Sequence, residues 1–448
     1  MTGGELRLNG MMNRLAGRKI WICSLGCRSN QYEGEALANA FADAGAELVD
    51  SPAGCDGAVL VSCTVTAMAD KKCRQAVRRA RRLSRNAVIA VCGCWAQKIS
   101  REEAASLGIS VVAGNRRKGE LPALLAAALG GESPSFVEDR IDVLRSREWD
   151  NLSLTRPLLH TRAFVKVQDG CNHFCSYCVI PYARGFPVSR DPDDVVAEIE
   201  RIAASGCPEV VLTGVHLGLY GKYGSVSLAE LVRRVASVER IRRIRFGSLE
   251  PFGLDDELLE TLAASPRFCR HLHLPLQSGS GAVLGRMKRG YGPEEFLALA
   301  EKARHFLGDE LHISTDVLVG FPGESEGDFA DTLSLMKACR FGKVHVFPFS
   351  PREGTEAWSY PGRVSRDTVL RRTREALSAA EDLQAQYASR WVGADVAVLA
   401  EETAENSFRG LTPSFLRVVA RGRAERGEEL PVRITRISGD SLKGRRVP

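Results

Sequence analysis

"DGCNHFCSYCVIPYARG", residues 169–185, sets three cysteines on one short loop: Cys171, Cys175 and Cys178. A structural zinc site takes four protein ligands, and an ordinary electron-transfer iron–sulfur cluster is also held by four. Nothing close in sequence looks like a fourth. The spacing suits three corners of a cubane [4Fe–4S] cluster, with one iron left open to another molecule. A zinc site completed by His173 or a distant residue, or cysteines with no metal, are the competing readings.

The surroundings of this loop decide the fold. It follows the β-rich run "AFVKVQ", and five more such runs come after it: "EVVLTGVH", "IRRIRFGSLE", "CRHLHLPLQ", "LHISTDVLVG" and "KVHVFPFS". Helical patterns such as "PDDVVAEIERIAASG" and "PEEFLALAEKARHF" separate them. Six strands joined by crossover-length connections predict a parallel β/α barrel. A complete barrel has eight strands, so six predict a partial (β/α)6 barrel, open on one side. The cysteine loop then lies at the carboxyl edge of the strands, where sites on this fold gather.

Working outward, "KIWIC", "GAVLVSC" and "AVIAVCGC" are continuous apolar runs of the kind found in buried parallel strands. Helical stretches alternate with them, which predicts a parallel-sheet α/β domain. Downstream, "ADVAVLAEE", "FRGLTPSFLRVVARG" and "LPVRITRISGDSLKGRR" alternate apolar and polar residues, the pattern of a small antiparallel β-barrel. The expected domains are 17–145, 158–388 and 389–448, with "LGGESPS" (129–135) as a boundary stretch.

The chain has 448 residues, too many for one ordinary domain, and 44% apolar with 26% charged residues is globular composition. No run approaches the ~18 apolar residues of a membrane span, and the N-terminus lacks a secretory pattern. Met11 or Met12 would serve as a start as well as Met1. Thirteen cysteines, several inside apolar runs, argue against a disulfide framework and for metal chemistry in a reducing, cytoplasmic setting.

Three further cysteines fall in a pattern. Cys27 follows the first upstream strand, Cys63 the second and Cys94 the third, each at the strand-end edge where open α/β sheets build ligand sites. They read either as a second thiolate set or as buried small hydrophobes. Cys23, Cys92, Cys207, Cys269 and Cys339 read as the latter.

A CxxxCxxC after the first strand of a six-stranded barrel resembles the radical S-adenosylmethionine superfamily. "GC.SNQYE", "SCTVT...DKKCRQ" and "GCWAQ", with "LTGVHLGLYG", "HLHLPLQSGS", "RMKRGY" and "DVLVGFPGE", extend the resemblance over nearly the whole chain to the methylthiotransferases. One departure is "LVSC", where the commoner pattern has asparagine–threonine–cysteine; the ligand is unaffected.

The resemblance implies two [4Fe–4S] clusters, one on Cys171, Cys175 and Cys178 and an auxiliary one on Cys27, Cys63 and Cys94. It implies S-adenosylmethionine as cofactor, cleaved at the first cluster to a 5′-deoxyadenosyl radical, with Tyr177 near the adenine. It also implies an auxiliary cluster that carries the sulfur to be inserted, and a TRAM-like, RNA-binding C-terminal module. Radical chemistry suits an aromatic C–H that no protein base can deprotonate.

Strand-end candidates for S-adenosylmethionine are Thr213, Gly214, Glu250 and Asp316, with Gly320; each reads equally as a structural strand-end residue. His271 and His273 share a strand face, as a zinc pair or as barrel packing. From Lys71 to Arg85 there are eight basic residues and no acidic one. With Cys73, Val77, Ala80 and Leu83 as a buried stripe, Arg78, Arg79 and Arg82 fan outward, as a grip on RNA phosphates or a solvated face. The region 390–448 holds eleven Lys/Arg against eight Asp/Glu, and Arg417 and Arg433 are its candidate RNA contacts.

"CVIPYARG", "GVHLGLYG" and "GLTPSFLRV" are most similar to the subgroup acting on threonylcarbamoyladenosine at tRNA position 37. The alternatives are isopentenyladenosine at the same position and an aspartate of ribosomal protein S12. The expected partners are tRNA, an electron donor and a sulfur donor, and no membrane.

Overall fold

The computed structural model describes residues 13–131, 136–158, 160–224 and 226–447. Met11, Met12 and residues 132–135 of the expected boundary stretch lie outside them. The chain forms two compact units: one of residues 1–159, 164–172 and 178–202, the other of residues 160–163, 173–177 and 203–448. The expected central domain contributes to both.

The first unit is built on a six-stranded sheet. Its elements are β1 (Lys19–Ser24), α1 (Arg28–Asp43), β2 (Glu47–Val49), β3 (Gly57–Ser62), α2 (Ala67–Leu83), β4 (Val88–Gly93), α3 (Arg101–Ser106), β5 (Val111–Ala113), α4 (Leu121–Leu129) and β6 (Val137–Asp139). The order is β2-β1-β3-β4-β5-β6, parallel throughout. β3 is buried at every position, as a strand covered on both faces must be. The direction of strand addition reverses between β1 and β3. That is a topological switch point, where a crevice opens beyond the strand ends.

Helix α2 starts where Thr66 accepts a hydrogen bond from the Ala69 N–H at 3.1 Å, an ordinary side-chain cap. Cys73, Val77 and Ala80 are buried against the sheet, but Leu83 is 42% exposed. The expected stripe is therefore one residue shorter. At the last turn Arg81 turns inward instead, donating to the carbonyls of Arg85, Ala87 and Gly108.

After β7 (Ala163–Lys166) and β8 (Gln168–Asp169) come α5 (Ile180–Arg184), β9 (Val188–Ser189) and α6 (Pro192–Ala204). The second unit then runs β10 (Glu209–Thr213), α7 (Leu228–Ala236), β11 (Arg243–Phe246), α8 (Asp256–Ala264), β12 (His271–His273), α9 (Gly281–Met287), α10 (Pro293–Leu307), β13 (His312–Val319), α11 (Glu326–Ala338) and β14 (Lys343–Pro348). β10 pairs parallel with β11, and β13 pairs parallel with β12 and β14. Parallel bridges Ile244–Phe268 and Ser248–His273 join the two groups. All six expected barrel strands form.

Helix α12 (Arg366–Ser389) leads to a closed barrel of β15 (Asp395–Ala404), β16 (Ser407–Leu411), β17 (Arg417–Arg421), β18 (Glu429–Ser438) and β19 (Ser441–Arg446). Val398, Phe408, Val418, Val432 and Leu442 fill it. The expectation of an antiparallel barrel needs one correction, because β17 and β19 pair parallel. A closed ring with an odd number of strands cannot alternate direction at every joint. Buried Arg243 and Arg245 tie this barrel to β11, donating to carbonyls of Leu411, Thr412 and Pro413.

Candidate metal centres and their surroundings

The first cysteine set lies at the switch point and the strand end beside it. Cys27 caps the start of α1, Cys63 follows β3 and Cys94 follows β4. Two glycines allow this crowding. Gly26, at φ +112°, lies so close to Cys63 that an added Cβ would fall 2.8 Å from its Sγ; Gly93, at φ +92°, would clash with the Ser62 carbonyl. Only glycine turns this way without a steric penalty.

Side chains pin the three loops together. Asn30 Nδ2 donates to the carbonyls of Leu25 at 2.7 Å and Ser62 at 2.9 Å, joining the turns after β1 and β3. Ser62 Oγ donates to Cys92 O and accepts from the Ala96 N–H, joining the turns after β3 and β4. Burial pushes the Cys63 thiol up to about 12, and the neighbouring Cys94 and Cys27 add to the push. Burial also raises the Cys94 thiol, with Arg184 pulling the other way. Thiols that hinder one another's ionisation are hard to keep as thiolates without a metal to share.

Among the described residues, no three Cys, His, Asp or Glu side chains close on the position of a single ion. A cubane differs: each thiolate takes a separate iron at a separate corner, and the sulfurs stand farther apart. The donor set of Cys27, Cys63 and Cys94 fits such a group.

A buried charge network backs this set. Arg184 Nε donates to Cys94 Sγ at 3.1 Å, and its Nη2 donates to Asn30 Oδ1 at 2.7 Å. Its Nη1 pairs with Glu33 at 2.9 Å and Asp169 at 3.0 Å, both of which also pair with Lys166. Lys118 lies 2.9 Å from Asp150 and 3.4 Å from Glu33. Burial by itself would raise the Glu33 carboxyl; the cations Arg184, Lys118 and Lys166 outweigh it and bring it to about 2.

The second set lies on the quoted loop. The Cys171 N–H donates to Gly185 O at 2.9 Å, and Cys178 Sγ accepts from the Ile180 N–H at 3.4 Å. Cys175 is buried, and its Sγ accepts from Arg289 Nη1 at 3.3 Å. Arg289 also donates to Tyr177 Oη at 3.4 Å and forms a partly buried ion pair with Glu250. One guanidinium thus gathers three of the sequence candidates. Three thiols within eight residues, one of them held by a cation, fit a cluster with an open iron.

The other candidates are spread along neighbouring strands. Thr213 is buried at the end of β10, against Gly247, with Gly214 half-buried beyond it. Asp316, on β13, is engaged by His273 Nε2 at 3.2 Å. His271 and His273 both bond to Ser314 Oγ at 2.9 Å, which joins the two rings through one hydroxyl. His173 stacks on Phe252 at 4.3 Å between ring centroids. A cavity of about 520 Å³ opens there, lined by His173, His216, Phe252 and Lys222 among others.

Arg78, Arg79 and Arg82 of α2, and Arg85 just beyond its end, are exposed with Lys71 and Lys72, whereas Arg74 pairs with Glu103 at 2.6 Å. Arg417 and Arg433 are exposed but paired, with Asp440 at 3.1 Å and with Asp395. Sequence reasoning missed Arg184 and Arg289. Both lie inside quoted motifs, "YARG" and "RMKRGY", without being singled out. Among the described residues no helix is long and apolar enough to cross a membrane.

Residues 165–336 match the Radical SAM superfamily, and residues 19–114 match the uncharacterized protein family UPF0004. The fold is similar to the radical S-adenosylmethionine methyltransferase TsrM from Kitasatospora setae, at 18% identity and a TM-score of 0.53, over 74% of this chain and 75% of that one. Fold and cysteine loop together define a radical S-adenosylmethionine enzyme, which takes a [4Fe–4S] cluster and S-adenosylmethionine.

The threonylcarbamoyladenosine tRNA methylthiotransferase MtaB of Bacillus subtilis (strain 168) is 36% identical over 89% of both chains. The MtaB of Chlamydia pneumoniae is 35% identical over 94% of this chain and 96% of the relative. The tRNA-2-methylthio-N(6)-dimethylallyladenosine synthase of Methylacidiphilum infernorum is 32% identical over 95% and 94%. The chain belongs to the tRNA methylthiotransferase family, and it is a transferase.

Proposed function

We propose that the protein converts N6-threonylcarbamoyladenosine at position 37 of tRNA to its 2-methylthio derivative. The observation that supports this reading is the position of Cys27, Cys63 and Cys94 just beyond the ends of three neighbouring parallel strands, in a chain that also carries the CxxxCxxC loop. Two three-thiol sites suit two clusters, each with an open iron. When bound, the cluster on Cys171, Cys175 and Cys178 with S-adenosylmethionine supplies a radical able to activate an aromatic C–H, and the auxiliary cluster supplies the sulfur.

The protein's own residues position and shield. Arg289 holds Cys175, Tyr177 and Glu250 in fixed relation, because a guanidinium's donors point along set directions. With that ordering built in before substrate arrives, less of the barrier is spent on alignment. Asn30 and Ser62 do the same for the three loops of the auxiliary site. The cavity beside His173 and Phe252 offers flat walls to a base, and Lys222 a charge to an acidic substituent such as the threonyl carboxylate. That carboxylate is absent from isopentenyladenosine.

The exposed arginines of α2, with the C-terminal barrel as a TRAM-like module, form the RNA-binding surfaces of this account. Domains 17–145, 158–388 and 389–448 then carry sulfur, radical chemistry and RNA grip, in a cytoplasmic enzyme served by separate electron and sulfur donors. The test is mass spectrometry of nucleosides from tRNA treated with anaerobically reconstituted enzyme. The methylthio group belongs on threonylcarbamoyladenosine; its appearance on isopentenyladenosine alone overturns the substrate assignment, and its absence from both overturns the tRNA reaction.

A further inference from the structure

Arg184 is 1% exposed, and every arm of its guanidinium is assigned. Nη1 meets the carboxylates of Glu33 and Asp169, and Nη2 meets Asn30 Oδ1, which also accepts from Cys27 Sγ at 3.5 Å. That leaves Nε, whose hydrogen is directed at Cys94 Sγ from 3.1 Å. Because the fork is rigid, the two carboxylates and Asn30 fix the direction of this last donor.

The surrounding charges do not cancel. Arg184, Lys118, Lys166 and Arg116 face Glu33, Asp169 and Asp150. Arg116 is 3% exposed, and its Nε and Nη1 have no hydrogen-bond partner among the described residues. A buried group with more cations than carboxylates is costly unless something negative stands beside it. An iron–sulfur core held by three thiolates is anionic.

We infer that Arg184 is a positioning residue of the auxiliary centre, whose Nε–H orients the Cys94 sulfur and sets the reduction potential of the cluster held there. The inference rests on the proposed second cluster. Reduction adds negative charge, and hydrogen bonds to cluster sulfurs favour the more negative state. Losing the donor therefore lowers the potential.

The test uses the full chain carrying Cys171→Ala, Cys175→Ala and Cys178→Ala, so that only the auxiliary cluster remains. Into it goes Arg184→Lys, which keeps a charge for Glu33 and Asp169 but removes the fixed Nε–H. Iron content should hold while the potential falls by the equivalent of a tenfold change in the ratio of oxidised to reduced cluster, 59 mV for one electron. Arg190→Lys, in a buried pair with Glu198, should leave the potential unchanged. A merely structural disturbance would move both.

A second measurement leaves Arg184 in place. With 15N-labelled arginine, electron–nuclear double resonance on the reduced auxiliary cluster should show a nitrogen coupling that the Arg184→Lys protein lacks. This coupling decides the matter if Arg184→Lys loses its cluster or fails to fold. If the triple-alanine chain holds no cluster with Arg184 intact, the two-cluster reading fails. A cluster with no arginine coupling, or with an unchanged potential in folded Arg184→Lys, overturns the role of Arg184 alone.

Discussion

Arg289 Nη1 lies 3.3 Å from Cys175 Sγ, across 114 residues of chain, while the same guanidinium closes an ion pair with Glu250. One buried side chain therefore joins a cluster thiol, the aromatic Tyr177 and a strand-end carboxylate, so the cysteine loop is held from the barrel side as well as by its own backbone.

Replacing Arg289 with Met should be severe in two ways. Removing one partner of a buried pair costs about 3–5 kcal/mol of stability, somewhat less here because Glu250 keeps partial access to water. Losing a charge-assisted donor worth ~1.5–3 kcal/mol should slow S-adenosylmethionine cleavage ~10–100-fold. Measured 5′-deoxyadenosine at the rate of the unaltered protein would contradict this role.

The charge network around Glu33 predicts a pH dependence. The folded Glu33 carboxyl, brought from 4.5 to about 2, is depressed relative to the unfolded chain. Its contribution is present above about pH 4.5 and is lost as pH falls toward 2. Glu33→Gln should destabilise the protein at neutral pH by roughly 3 kcal/mol and flatten its acid unfolding between those values. A denaturant midpoint with the same pH slope as the parent would refute the network's part in acid stability.

For the RNA face, exchanging Arg78, Arg79 and Arg82 for Ala should weaken tRNA binding across sequences alike. It should also reduce the slope of log affinity against log salt by about 2–3, near 0.7–0.9 for each phosphate no longer neutralised. Arg417→Ala and Arg433→Ala should do less, since each arginine is already spent on a neighbouring carboxylate. Equal effects from both groups would shift the principal RNA contact to the C-terminal barrel.

The positions of both cysteine sets were legible in the sequence, for different reasons, while the ligand role of Cys27, Cys63 and Cys94 came only with the resemblance. The CxxxCxxC is a local spacing, and a local spacing survives any error about the fold. Cys27, Cys63 and Cys94 are far apart, yet recognising three parallel strands was enough to place each at the same edge. The sheet order that puts Cys27 and Cys63 at a switch point was not legible, because strand neighbours are chosen by packing between distant segments.

Arg184 and Arg289 were hidden for a related reason. Their partners Cys94 and Cys175 lie 90 and 114 residues away, and in sequence a buried arginine looks like an exposed one. Leu83 shows the converse error: helical periodicity placed it inside, but at the last turn it is Arg81 that turns in, to the carbonyls of Arg85, Ala87 and Gly108 beyond the helix. The parallel β17–β19 pair escaped because alternation reports strands and not their direction.

The most direct test of the division of labour between the two sites is the full chain with Cys27→Ala, Cys63→Ala and Cys94→Ala, reconstituted without oxygen. It would be supplied with S-adenosylmethionine, a reductant and tRNA containing threonylcarbamoyladenosine, and both 5′-deoxyadenosine and the methylthio nucleoside would be measured. The account predicts continued formation of 5′-deoxyadenosine with no methylthio product. Methylthio product from this variant would contradict it.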